Sequence, residues 1–293
     1  KVFSWFYLSI NLGAFIATLL TPILLEKFGP SIAFGLPGLL MFIATILFWM
    51  GREVFIHIPP SGKEFINQSF SKEGLHAILR LSIIYLFIAV FWALFDQTGS
   101  TWILQSENMN RQWLGFTWLP SQIQAINPIM ILIFAPLFSY FIYPFINKKI
   151  KKVTSLGKIS AGLFLAVPSF MIIALVQTWI DNGQTPNIYW HLIAYAILTA
   201  SEVLVSITCL EFSYTQAPNN MKSLIMGFFM LSISLGNIFT AAVNYFIVNP
   251  DGSSKLEGAS YFNFFALLMF LTAMLFLIVL KYYKPKTYLH NEA

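Results

Sequence analysis

Eight continuous apolar runs constrain this chain more than any other feature. Each is about 20 residues or longer, enough at ~1.5 Å of rise per residue to cross a ~30 Å hydrocarbon core. Inside lipid every backbone amide needs a partner within its own segment, so such runs fold as helices. A spanning sheet would have to be a closed barrel of alternating polarity, and these runs do not alternate. Composition agrees, with 57% apolar and 10% charged residues against roughly 25% charged in soluble domains. The predicted fold is an all-α integral membrane protein with about eight transmembrane helices.

The predicted spans are residues 2–25, 31–50, 81–105, 119–146, 159–180, 189–218, 222–248 and 259–280. A Gly35-Leu-Pro-Gly38 interruption is a candidate kink in the second, and three prolines within the fourth, Pro128, Pro136 and Pro144, are expected to break it. Between the second and third lies a polar stretch with a Pro59-Pro60 break and a weak signal for a short interfacial helix over 63–74. Residues 106–118 read as a polar loop. The chain opens Lys1-Val-Phe-Ser-Trp-Phe6, without a start methionine, and is read as truncated.

Eight spans put both ends on one side, and the basic residues sort accordingly. Lys1, the 51–80 stretch, the Lys148–Lys158 turn, Lys222 and the tail from Lys281 hold fourteen of the seventeen Lys and Arg. Lys27, Arg111 and Lys255 fall on the other side. Positive loops stay inside, so the first side is predicted cytoplasmic, with both ends there and the protein in the cell membrane. The same logic reads the net charge of +5 as basic loops rather than as an acidic partner.

The single cysteine, Cys209, excludes an internal disulfide and a cysteine-rich metal site. His57, His76, His191 and His290 lie near span ends or in loops without metal-ligand spacing, so no metal is expected. No phosphate-cradling loop, nucleophile elbow or zinc-protease motif is present, and nothing supports nucleic-acid binding. No cofactor and no enzymatic activity are predicted.

Glu202 is the residue that asks for a function. It lies about 13 residues into the sixth run, roughly 20 Å along a helix and close to mid-bilayer. A carboxylate there costs at least ~2.5 kcal/mol on insertion scales, so it belongs to a protein interior or a wet cavity. It is read as an ion or substrate site, against the plainer alternative of a protonated strut to a neighbouring helix. Ser206 and Cys209 continue its stripe, while Glu211, nine residues on, is expected to face roughly the opposite way as a gate or packing residue.

Asp96 and Trp92 are four apart and predicted to share a helix face, offering a carboxylate beside an aromatic wall. Gly99 and Ser100 are expected to let another helix approach. The competing reading makes Asp96 a hydrogen-bonding strut and Trp92 ordinary packing. Asn11 and Asn127 are amides deep in apolar spans, either interhelical glue or site residues, and Pro128 frees a carbonyl one turn earlier. Arg80, at the mouth of the third span, is read first as a snorkelling cation.

Four phrases occur in one order: Phe6-Tyr-Leu-Ser-Ile-Asn-Leu-Gly-Ala14, Phe91-Trp-Ala-Leu-Phe-Asp-Gln-Thr-Gly-Ser100, Ile126-Asn-Pro128, and Glu202 through Glu211-Phe-Ser-Tyr-Thr-Gln-Ala-Pro218. Together they resemble the proton-dependent oligopeptide transporter family, a branch of the major facilitator superfamily. The resemblance implies a fold of at least twelve helices in two bundles, with this chain matching helices five to twelve. Residues 1–50 would then end the first bundle, 51–79 would be the linker, and 80–293 would form the second bundle with a short tail.

The resemblance also implies roles. Glu202 would hold a peptide's amino terminus, Asn127 and Asn11 its backbone, and Trp92, Ser206 and Phe229 would line the pocket. Asp96, Glu202 and Arg80 would serve proton coupling and gating, with protons as the coupling ion. In some relatives the position of Arg80 pairs with an acid where this chain has Ser139, which puts that pair in doubt. The family's Glu-x-x-Glu-Arg motif and its fourth-helix lysine lie in stretches this chain does not contain.

The leading expectation is therefore proton-coupled symport of di- and tripeptides by alternating access. Its partners would be peptide, protons, the lipid bilayer and the first four helices of the same protein. A carrier of other nitrogenous solutes within the family, and a fragment inert in isolation, are the alternatives. An intramembrane enzyme using Asp96 and Glu202 as an acid–base pair would need the two within hydrogen-bond or one-water reach.

Overall fold

The computed structural model describes residues 2–55, 62–149, 153–218, 221–251, 253–283 and 285, without the side chains of 2–8, 64 and 68. The Pro59-Pro60 break, Lys1, Lys151, Lys152, His57, His290 and the tail beyond Pro285 lie outside the described residues. Among the described residues eight helical units are long and apolar enough to cross a membrane, as the sequence predicts.

The first two units are α1 (Val2–Phe28) and α2 (Pro30–Met50). They meet at Gly29, whose φ of +81° favours glycine, followed by a proline in the first turn of α2. The Gly35-Leu-Pro-Gly38 interruption does not end the helix: α2 continues through Pro37. Next come the short α3 (Gly62–Ser69) and then α4 (Lys72–Phe95), which starts nine residues before Leu81. The earlier start has a local cause. Ser71 Oγ accepts from the Gly74 amide at 3.0 Å, an N-cap that makes two polar turns helical ahead of the apolar run. α4 tightens into a 3₁₀ turn, Asp96–Gly99, before α5 (Thr101–Glu107).

The loop after α5 is not featureless. β1 (Gln112–Trp113) and β2 (Phe116–Thr117) pair antiparallel across Leu114 and Gly115. Both central residues have positive φ, 54° and 80°, as a tight two-residue hairpin turn requires.

The fourth unit begins with a 3₁₀ turn, Pro120–Ala125, and continues as α6 (Ile126–Leu137), a π turn (Phe138–Ile142) and α7 (Tyr143–Lys149). The predicted proline breaks do not occur. Pro128 and Pro144 each follow a turn that is already helical, so their missing N–H groups fall where the helix changes pitch. Pro136 and Pro144 flank the wide π turn, which takes up their disruption without ending the unit.

The remaining units are α8 (Ser155–Asp181), α9 (Tyr189–Glu202) with α10 (Thr208–Gln216), α11 (Lys222–Ile247) and α12 (Ala259–Tyr282). α8 packs along α12 and α9, and α4 along α11, around a core that includes Phe91, Trp102, Phe170, Phe265 and Phe276. α1 and α2 expose most of their apolar side chains, α1 meeting the rest at α6 and the turn before it. There Gln122 donates to the Leu19 carbonyl at 3.1 Å, three residues before Pro22.

A polar string crosses this apolar core. Gln105 donates to the Ile173 carbonyl at 3.1 Å and to Gln177 at 2.8 Å, and its Oε1 lies 2.8 Å from His191 Nε2. Gln177 donates on to Asp181, whose carboxylate takes the Ala259 amide at the start of α12. One glutamine thus ties three units together where apolar contacts alone would slide.

Candidate functional site

Glu202 is the last residue of α9, and the wide π turn Val203–Ile207 separates it from α10. The single uninterrupted helix expected over 189–218 is therefore two helices joined by one loosened turn. The widened turn packs closely on α8. A Cβ at Gly162 would sit 2.5 Å from Val205 Cγ2 and 3.0 Å from the Ser201 carbonyl. Ser201 Oγ also donates to the Gly162 carbonyl at 2.7 Å. The bare glycine lets the widened turn press into α8, and Leu204 and Val205 fill the contact as buried residues.

A π turn holds one extra residue, which rotates the helix beyond it by roughly 100° relative to a regular α-helix. The predicted opposition of Glu202 and Glu211 therefore does not hold, although Glu211 is exposed. Ser206 lies within the π turn, half-buried, rather than on a regular i+4 stripe.

The carboxylate of Glu202 is half-buried and meets an amide. Asn127 Nδ2 donates to Glu202 Oε2 at 2.7 Å and to Thr199 Oγ1 at 3.1 Å. Asn127 is the second residue of α6, immediately before Pro128. It stands where the 3₁₀ turn becomes α-helix, a junction that fixes its direction across to α9. Asn11 is buried on α1, the helix that packs on α6 and on that same turn. Three predicted residues thus come from three neighbouring elements, and two of them touch.

Asp96 sits at the end of α4, in the first position of the 3₁₀ turn, where its amide still donates to the Trp92 carbonyl, so the two share a helix face as expected. Asn237 Nδ2 on α11 donates to Asp96 Oδ2 at 2.7 Å. Beside it, a Cβ on Gly236 would overlap the Ala89 carbonyl oxygen and come within 2.8 Å of the Ala93 nitrogen. Thr240 donates to the Ala93 carbonyl at 3.0 Å. Gly236, not the predicted Gly99, makes the close helix approach; a Cβ at Gly99 would only meet Gln124 at 3.8 Å. Sequence reasoning misses Asn237, although it is an amide midway along an apolar run with a glycine before it.

The aromatic residues are less open than the resemblance implies. Trp92 is buried against Phe91 and Phe95, with ring centroids 5.5 Å and 5.3 Å away, and its indole Nε1 has no hydrogen-bond partner among the described residues. Phe229 is buried and edge-on to Tyr85 at 6.2 Å. Arg80 holds its guanidinium 5.3 Å over the ring of Tyr283, just past α12, while Ser139 lies exposed in the π turn of the fourth unit. Among the described residues no three His, Cys, Asp or Glu gather as a metal site.

Chemically, an amide-held carboxylate in the middle of an apolar span, on a face shared with amides and hydroxyls, can receive a cation. Ammonium suits it, because a charge-assisted hydrogen bond in a partly dry cleft is stronger than the same bond in water.

The chain matches the sequence profile of the POT family over residues 1–73 and 68–261. It is 35% identical over 222 residues to solute carrier family 15 member 2 of Homo sapiens, covering 62% of this chain and 30% of that protein. It is also 35% identical over 223 residues to peptide transporter 3 of Caenorhabditis elegans, covering 62% and 32%. The crystal structure of an auto inhibited POT family peptide transporter superposes with a TM-score of 0.86 at 28% identity, over 99% of this chain and 71% of that one. The chain spans about a third of the length of the curated relatives it matches.

Proposed function

Since the chain belongs to the POT family, we propose that it forms part of a proton-coupled symporter that carries di- and tripeptides across the cell membrane by alternating access. In the whole transporter, residues 1–50 end one helical bundle, 51–79 link it to the next, and 80–293 form the second bundle and tail. Two bundles rocking around a midplane site would expose that site to each side in turn. The fourteen basic residues that the span count assigns to one side support a cytoplasmic location for that side and for both ends of this chain.

One observation carries this reading: Glu202, held at 2.7 Å by Asn127, stands in the middle of the Tyr189–Gln216 unit. It would bind the amino terminus of the peptide, with Asn127 and Asn11 near the peptide backbone and Ser206, Trp92 and Phe229 around it. The burial of Trp92 and Phe229 means that they reach substrate only once α4 and α11 part. Asp96, tied to Asn237 across that same seam, and Arg80 would belong to the proton-coupled gate. No cofactor besides the proton is called for, and the relatives matched are transporters rather than enzymes.

The test uses proteoliposomes holding the transporter that contains this chain. An inward proton gradient should drive labelled dipeptide above its external concentration, and free amino acids should compete poorly. Accumulation that ignores the gradient, or equal competition by free amino acids, contradicts the reading. The second outcome would favour another nitrogenous cargo, still cationic because of Glu202.

A further inference from the structure

Two cavities share one wall at the start of α4. The first, about 460 Å³, is lined by Lys72, Glu73, His76, Arg80, Gln216 and Tyr283, with Ala77 and Leu81 at its floor. The second, about 710 Å³, is an apolar groove along the seam of α4 and α12, between Ile83 on one side and Ile278 and Tyr282 on the other. Arg80 and Tyr283 line both.

The basic side chains are in register. Lys72, His76 and Arg80 lie four apart and so on one face of α4, with two full cations against the single carboxylate of Glu73. Lys72 stands roughly 12 Å above Arg80 along the helix, a span that leads from the headgroup layer to the hydrocarbon edge. Tyr282 and Tyr283 mark the same depth, where tyrosine collects at membrane interfaces. From that level the groove continues past Ile83 and Ile278, both about half exposed at 47% and 55%.

A cavity bearing two cations, set beside an apolar groove across the shared wall of Arg80 and Tyr283, matches one kind of molecule, an amphiphile with an anionic head and an acyl tail. We propose that this paired cavity binds an anionic phospholipid, its phosphate between Lys72 and Arg80 and its chain in the α4–α12 groove. Charge complementarity selects the head, and the apolar groove on the far side of the Arg80 and Tyr283 wall selects a lipid over a free anion. Because Tyr283 comes just after the last turn of α12 and Lys72 opens α4, the bound lipid would staple the start of α4 to the end of α12. This site lies apart from Glu202 and does not depend on what is transported; Arg80 is the one residue it shares with the proposed gate.

The purified protein in zwitterionic micelles provides the test, read as the thermal unfolding midpoint against added phosphatidylglycerol, phosphatidylcholine or inorganic phosphate. Phosphatidylglycerol should raise the midpoint well beyond phosphatidylcholine. Lys72→Gln and Arg80→Gln should each weaken its apparent affinity roughly fivefold, in line with the worth of one cation at an anionic surface. The paired control Lys148→Gln/Lys149→Gln, which removes charge elsewhere, should not. An equal shift with phosphatidylcholine, an equal loss in the control, or a full shift with inorganic phosphate overturns the proposal. Should Arg80→Gln fail to fold, a phosphatidylglycerol carrying a photoreactive acyl chain settles the matter on the unaltered protein. Crosslinks confined to peptides of α4 and α12 support the site, and crosslinks spread over all eight units refute it.

Discussion

The amide of Asn127 bridges two groups on α9 at once, Glu202 Oε2 at 2.7 Å and Thr199 Oγ1 at 3.1 Å. The first turn of α6 is thereby locked to the last turn of α9 through one side chain. Thr199 is fully buried, so its hydroxyl has no water to fall back on. Asn127→Ala should then destabilise the protein by about 2 kcal/mol, the cost of stranding a buried polar partner. Unfolding in micelles measures it. A double-mutant cycle with Glu202→Gln should show coupling of about 1 kcal/mol or more, as for residues in direct contact. Additive losses would mean that the bond is not formed in the membrane.

The π turn after Glu202 makes a sharper claim. Deleting Leu204 should restore a regular helix, turning α10 by roughly 100° against α9 and drawing it about 1.5 Å closer. Membrane insertion should survive, because the run stays long and apolar. Peptide binding should not survive, because the side chains after the turn change direction relative to Glu202. A deletion variant that inserts and still binds peptide as well as the parent would show that the widened turn is incidental.

Gly236 tests the seam of α4 and α11. No rotamer can relieve a Cβ that meets the backbone of Ala89 and Ala93. Gly236→Val should therefore cost at least about 3 kcal/mol, at or beyond the usual penalty for overpacking. Gly99→Ala, where only the Gln124 side chain is near, should change stability little. Unfolding midpoints of the two variants, compared side by side, decide between them. Equal effects would contradict the close crossing.

How much of this is visible in the sequence depends on the scale of the feature. The eight spans are legible because lipid leaves so few options that length and polarity decide them. Glu202 and Asp96 are legible because a carboxylate is rare in such a run, and Asn127 and Asn11 because an amide there stands out. Features set by partners far along the chain stay hidden. The π turn at Val203–Ile207 packs closely on Gly162 of α8, and no pattern within 189–218 announces it. Asn237 gains its meaning only when Gly236 brings it against Asp96. His191, placed near a span end by sequence, is buried because Gln105 reaches it from α5. The early start of α4, by contrast, is readable in Ser71 as a capping residue, and only the polarity of the turns behind it argues the other way.

The account stands on Glu202 meeting the charged amine of a peptide. Calorimetric binding to the transporter that contains this chain tests it most directly, comparing a dipeptide with its N-acetylated form in the parent and in Glu202→Gln. The parent should prefer the free amine by roughly tenfold or more, the worth of a hydrogen bond to a charged group. Glu202→Gln should bind both forms alike, and weakly. An undiminished preference for the free amine in Glu202→Gln would contradict the central claim.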